Sequence, residues 1–215
     1  SNSLRVVRVQ NSSVSNATES GSTVVIKNTT DYTDNYAAGS NSVGLWAART
    51  AGAFGNNLKV ESCPSATAYE ETAKTTIADS SMSVGDTVVT LTSATGFSAG
   101  DIINFGDQYE YRIVSISTND VTFVRKEEPQ YFGASDSSGL HAAPTNGANV
   151  RRRWRYYDLF DKAPGTSPYA QARGGSGDEL HIVVVDEDGG ITDTQGEVLE
   201  TYAAVSKASD AKTPQ

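Results

Sequence analysis

One cysteine, Cys63, stands alone in a chain of 215 residues. A lone thiol excludes an internal disulfide framework and offers no metal–thiolate cluster. Histidine is nearly as scarce, with His141 and His181 the two copies, so the commonest general base has few places to act. No apolar run approaches the roughly 20 residues that a membrane-spanning helix needs, and no signal peptide is recognisable. Positive charge is short as well: 17 lysines and arginines face 26 aspartates and glutamates, for a formal net charge of −9. Non-specific nucleic-acid binders gain affinity by releasing phosphate counterions, which calls for the opposite balance.

Serine, threonine, asparagine and glycine are plentiful instead, and helix-forming runs are few. That pattern predicts short strands joined by turns. The expected fold class is α+β, mainly β, with a mixed or antiparallel sheet core, few short helices and an inserted small antiparallel β-barrel or sandwich. "LRVVRV" (4–9) and "TVVIKN" (23–28) read as strands. "DYTDNYAAGS" reads as a short helix capped by Asp31, and Leu45 to Ala48 as another brief helix. A strand follows from Leu58 to Ser62 and ends at Pro64. The chain does not begin with Met, and it reads as a piece excised from a longer protein.

Residues 82–125 have a character of their own. Four strand-like runs alternate with turn signals, among them Gly106-Asp107, suited to a two-residue hairpin, and Thr118-Asn119-Asp120. Tyr109, Tyr111 and Ile113 share one face of a half-buried strand, with Glu110 and Arg112 opposite. The expected division is therefore a discontinuous core of 1–80 and 126–215 around an inserted β module at 81–125. The polar stretch from Gly133 to Gly147 reads as the exit linker. Further on, Leu180 to Val185 is almost continuously apolar, which predicts a strand covered on both faces. A turn at Asp188-Gly189-Gly190 then returns the chain through "VLETY" as its partner strand.

No reaction is written in these residues. His181 begins the most apolar strand and His141 lies in the linker. "DEDGG" (186–190) starts like an acidic calcium loop, but Gly190 falls where the third carboxylate belongs. "GGSG" (174–177) lacks the Lys-Ser/Thr pair of a phosphate loop. No serine stands in a G-x-S-x-G elbow, and Cys63 reads as a bystander thiol. The sequons at Asn11, Asn16 and Asn28 are expected by chance in so Ser/Thr-rich a chain. The expectation is no catalytic residue, no cofactor and no metal.

The densest chemistry is "NVRRRWRYYDLFD" (149–161). In a strand, Arg152, Trp154 and Tyr156 share one face, and Arg151, Arg153 and Arg155 the other. Arginine with interleaved aromatics suits nucleic acid or a protein–protein contact. Asp158 and Asp161 partly neutralise the run, and the acidic chain around it favours a protein–protein contact or a plain salt-bridged surface over nucleic acid. Arg151, Arg153, Arg155 and Trp154 are the candidate contact residues.

Three stretches resemble the tail sheath proteins of contractile-tailed, T-even-like phages, including those of marine cyanobacteria. "AARTAGAFGNNLKVES" is similar to their A-[RK]-x-x-G-x-x-G-N-x-L-x-V stretch, although Ala51 stands where that family usually has proline. "FDKAPGTSPYA" is similar to their A-P-G-T-S loop, and "DELHIVVVDEDGGITDTQGEVLETYAAVSKASDAK" to their strand–turn–strand. The likeness covers about 1–76 and 150–215; the middle block resembles small β modules that decorate many phage tail proteins. The resemblance implies a virion subunit that stacks in homo-oligomeric rings around the tail tube and contracts to drive it through the host envelope. It implies no nucleotide, no metal and no active site. The family's chain-linking arms lie near the termini of the full protein and are expected to be missing here, so the isolated chain is expected to be monomeric. Contact with other subunits through the arginine run is expected; contact with nucleic acid or membrane is not. The competing reading is a carbohydrate- or receptor-binding decoration using Tyr109, Tyr111, Tyr131 and Phe132.

Overall fold

Alternation of β-branched and polar residues is realised most fully in the middle of the chain. The computed structural model describes residues 14–37, 43–126 and 139–208. Two compact units result. One takes the chain up to Glu61 together with Ile182–Thr201, and the other takes Ser62–His181 and the chain from Tyr202. Among the described residues the strands are β1 (Leu58–Cys63), β2 (Glu70–Thr76), β3 (Val88–Thr90), β4 (Ile102–Asn104), β5 (Tyr111–Ser117), β6 (Asp120–Arg125), β7 (Asn149–Arg153), β8 (Glu179–Asp186) and β9 (Glu197–Ser206). Three short helices accompany them: α1 (Thr29–Asn35), α2 (Ala66–Tyr69) and α3 (Pro168–Ala172). The protein is mainly β, as its composition predicts.

The larger sheet has six strands in the order β2-β7-β4-β5-β6-β3, with every pair antiparallel. Its two outer strands also meet. Ile77 bridges Leu91, with Ala78 N donating to Thr90 O and Thr92 N to Thr76 O, each at 2.9 Å. The sheet therefore closes on itself as an antiparallel barrel, with its first and last strands joined. Inside, Ile77, Val89, Leu91, Ile103, Tyr111, Ile113, Val121, Phe123, Leu140 and Val150 form one core. Along β5, Tyr111 and Ile113 point in while Arg112 and Val114 point out, the period-2 pattern expected of a strand.

The barrel is wider than the stretch 81–125. β2 and β7 are two of its staves, and Ile77, Leu140 and Val150 from outside that stretch fill its core. Nor is the described part of the stretch 133–147 a linker. Leu140 is fully buried, its N–H donates to Asp86 O at 2.9 Å, and its carbonyl accepts from Gly85 at the same distance. Gly139 makes this approach possible, since a Cβ there would lie 2.0 Å from the Gly85 oxygen.

Turn chemistry departs from expectation in one place. The β4–β5 connection is longer than two residues because the Asn104 side chain organises it, donating to Asp107 O at 2.7 Å and Tyr109 O at 2.6 Å. The β5–β6 turn falls within the expected Thr118-Asn119-Asp120 but takes two residues, Thr118 (φ 55°) and Asn119, because Asp120 already pairs with Ser117 as the first residue of β6. Elsewhere, α1 is capped by Asn28, whose side chain accepts from Asp31 N at 2.9 Å; Asp31 sits in the first turn instead. No helix forms at Leu45–Ala48. Thr18 bridges Ala47 and Ala48 N donates to Ala17 O at 2.8 Å, so those residues pair rather than coil. The sequon Asn16 is 1% exposed and donates to Ala48 O at 2.7 Å while accepting from Ile26 N at 2.8 Å. The 4–9 run and the sequon Asn11 lie outside the described residues.

The smaller sheet is three-stranded, β1-β8-β9. β8 is buried along nearly its whole length, and the return from the 188–190 turn is a strand. Among the described residues, no helix is long and apolar enough to cross a membrane.

Candidate intersubunit surface

Arg151, Arg152 and Arg153 lie on β7, between β2 and β4, and strand alternation divides their side chains; Arg155 follows the end of the strand. Arg152 turns inward and is 8% exposed. Its two terminal nitrogens each donate to Ala68 O at 3.0 Å, and its Nε lies 3.6 Å from Asp101 Oδ2. Asp101, 4% exposed, also accepts from Ser98 N at 2.9 Å. This is a buried ion pair.

Arg151 and Arg153 lie on the outer side, where Glu70 on the neighbouring strand meets both, at 3.3 Å and 3.4 Å. Arg153 also pairs with Glu110. Glu110 accepts from Tyr157 Oη at 2.6 Å and Lys126 Nζ at 3.1 Å, and that ammonium sits 4.4 Å above the Tyr157 ring. Burial pushes the Glu110 carboxyl up, but the hydrogen bonds from Tyr157 and Lys126 and the charges of Lys126 and Arg153 outweigh it. Its acid therefore titrates below the ordinary range.

The last two candidates are placed differently from expectation. Trp154 is 6% exposed, stacked on Phe160 at 5.8 Å, so it packs inward rather than offering a contact surface. Arg155 lies against Gly100, where a Cβ would come within 2.5 Å of its guanidinium, and over Tyr156 at 5.8 Å. Charge reversal at Arg153 is therefore no neutral surface change, because it would set three carboxylates together around Glu70 and Glu110. Reasoning from sequence missed these partners. Their signal was the alternation of "YEE" and "YEY", each of which places a glutamate on an outward face.

A second constellation lies in the "APGTS" loop. Asp178 Oδ1 accepts from Ser167 N at 2.8 Å, and Oδ2 accepts from the Ser167 and Ser206 hydroxyls at 2.8 Å and 2.6 Å. Glu179 accepts from Gly165 N at 2.9 Å. Ser167 in turn caps α3 by accepting from Ala170 N at 3.1 Å. The Ser206 hydroxyl and the Ser167 amide hold the Asp178 carboxyl down at about 2.

The other motifs resolve into structure. Asp186 at the head of "DEDGG" accepts from Ile191 N, Thr192 N and the Thr192 hydroxyl through one oxygen, so it builds the turn. Among the described residues, no group of three acidic, His or Cys side chains is arranged for a metal. Tyr111 is fully buried, which removes it from a glycan-binding face. Tyr109 stacks on His141 at 3.8 Å, and Tyr131 and Phe132 lie outside the described residues.

Cys63 is 1% exposed, and burial pushes its thiol up to about 11 against the ordinary 9.0. Two pH units mean about a hundredfold less thiolate, the reactive form, before any steric protection. The native protein at pH 8 is expected to react with a chromogenic disulfide at least about a hundredfold more slowly than the urea-unfolded chain. Equal rates would show that this thiol is open to solvent.

Comparison with known proteins finds no match to this chain among family models, curated proteins or solved structures.

Proposed function

We propose that the chain is a structural subunit of a contractile phage tail sheath, working by shape and by contacts with its neighbours. The observation that carries this reading is how the three sheath-like stretches bond to one another. In one unit, Asn57 of the first stretch accepts from Glu187 N of the third at 2.7 Å, and Gly190 packs against the Asn57 amide group. In the other unit, Asp178 and Glu179 at the start of the third stretch hold Ser167 and Gly165 of the second. Residues that resemble a family motif and also tie distant segments together are a scaffold's residues. Their polar atoms are spent on backbone geometry, which suits a rigid body that transmits force.

The arginine strand fits the same role. Arg151, whose side chain is 39% exposed, stands at the rim of a network of alternating charge. Such a network meets a partner with complementary charge and sets register more than affinity. Phosphate is a poor partner, since Arg152, Arg153 and Lys126 are already paired with carboxylates.

The gene product that carries this chain is expected to polymerise into hollow tubes visible by negative-stain electron microscopy. Arg151→Glu is expected to reduce tube formation while leaving the circular dichroism spectrum unchanged. A gene product that stays monomeric under all assembly conditions, or that binds a defined glycan on an array, would overturn the proposal.

A further inference from the structure

His181 is 1% exposed and uses both ring nitrogens. Nε2 lies 2.8 Å from Lys162 O, and Ala204 N donates to Nδ1 at 3.0 Å. A carbonyl can only accept and an amide N–H can only donate, so the ring is neutral, with its proton on Nε2 and a bare Nδ1. The ring stacks on Phe160 at 4.2 Å and 3° and meets the edge of Tyr69 at 6.0 Å. Ala204 stands at φ 53°, a left-handed conformation that a residue with a Cβ adopts only when held there. The Ala204 N–H in that conformation donates to the imidazole lone pair.

We propose that His181 is a proton-sensitive latch on the C-terminal end of β9. A proton on Nδ1 and the hydrogen bond from Ala204 are mutually exclusive, because the protonated ring would present one donor to another. The charged groups nearby do not rescue an imidazolium. Asp178 and Glu179 on and beside β8 are bound to Ser167, Ser206 and Gly165. Asp161 and Lys162 on the facing loop are exposed. Lys207 beyond β9 donates to Pro64 O at 2.8 Å. The Tyr69 hydroxyl donates to the carbonyls of Tyr157 and Phe160, and Cys63 lies near it. Proton uptake therefore accompanies release of Ala204, and the released state binds more protons. Acidification then favours release, by up to about tenfold per pH unit for one proton.

The test is amide hydrogen exchange by NMR on the intact chain between pH 8 and pH 5, corrected for intrinsic rates. Ala204 is expected to lose protection by more than about tenfold on acidification, while Ile113 in the barrel keeps its own. His141→Gln should preserve the response, and His181→Gln should abolish its pH dependence. If His181→Gln does not fold, ring nitrogen shifts of the unmodified protein decide: Nδ1 must be bare at pH 8 and must take up a proton together with the loss of Ala204 protection. A ring protonated on Nδ1 at pH 8, a ring still neutral at pH 5, or Ala204 protection that survives its protonation would each overturn the latch.

Discussion

Phe123→Ala is expected to cost the barrel about 3–5 kcal/mol, a large share of the roughly 5–15 kcal/mol by which a domain is ordinarily stable. Phe123 has no exposed surface and sits in a triangle of rings, 5.1 Å from Tyr111 and 5.6 Å from Phe105. Truncation removes the transfer energy of the ring and leaves a void that closed staves cannot collapse to fill. Two edge-to-face aromatic contacts are lost as well, each contributing about 0.5–1.5 kcal/mol beyond area. Val114→Ala, on the same sheet but 49% exposed, is expected to change stability by less than about 0.5 kcal/mol. Urea unfolding followed by tyrosine fluorescence measures both. Similar midpoints for the two variants would mean that the core is not where these rings meet.

The barrel's middle was legible because its strands advertise themselves. "YRIVSIS" and "DVTFVR" alternate apolar with polar residues, and Thr118-Asn119 marks the turn between them. The closing staves were not legible as parts of the same barrel. β2 is "EETAKTT", which has no apolar alternation, and it closes the barrel through backbone bonds at Thr76 and Ala78 that any residue could supply. Leu140 was hidden for a related reason: one apolar residue in a polar stretch leaves no period to detect, yet it plugs the core. At the candidate surface the arginines were conspicuous and their destinations were not. Whether an arginine is free or paired depends on which strand lies beside it, and the register that brings Glu70 opposite Arg153 is a long-range property. The loop motif is a similar case. "APGTS" reads locally as a loop, but the two carboxylates that fasten it are Asp178, just before β8, and Glu179, its first residue.

Arg152→Ala is expected to destabilise the protein by about 3–5 kcal/mol, the usual cost of removing one partner from a buried ion pair. The side chains of Arg152 and Asp101 are 10% and 6% exposed, so the abandoned carboxylate cannot recover its hydration. Ala68 O would lose two donors in the same step. Replacing both partners separates charge from packing. Arg152→Met together with Asp101→Asn keeps most of the volume, and the asparagine oxygen can still accept from Ser98 N. The double variant should therefore be less destabilised than Arg152→Ala, because no unpaired charge stays buried. Arg151→Ala makes the contrast within the same run. Its ion pair with Glu70 is partly exposed, at 39% and 29%, and its loss should cost less than about 1 kcal/mol. Denaturant midpoints for the three variants test the assignment. If Arg151→Ala proves as costly as Arg152→Ala, the inward and outward faces of β7 are reversed. If the double variant is no more stable than Arg152→Ala, the buried charge is not what Arg152 compensates.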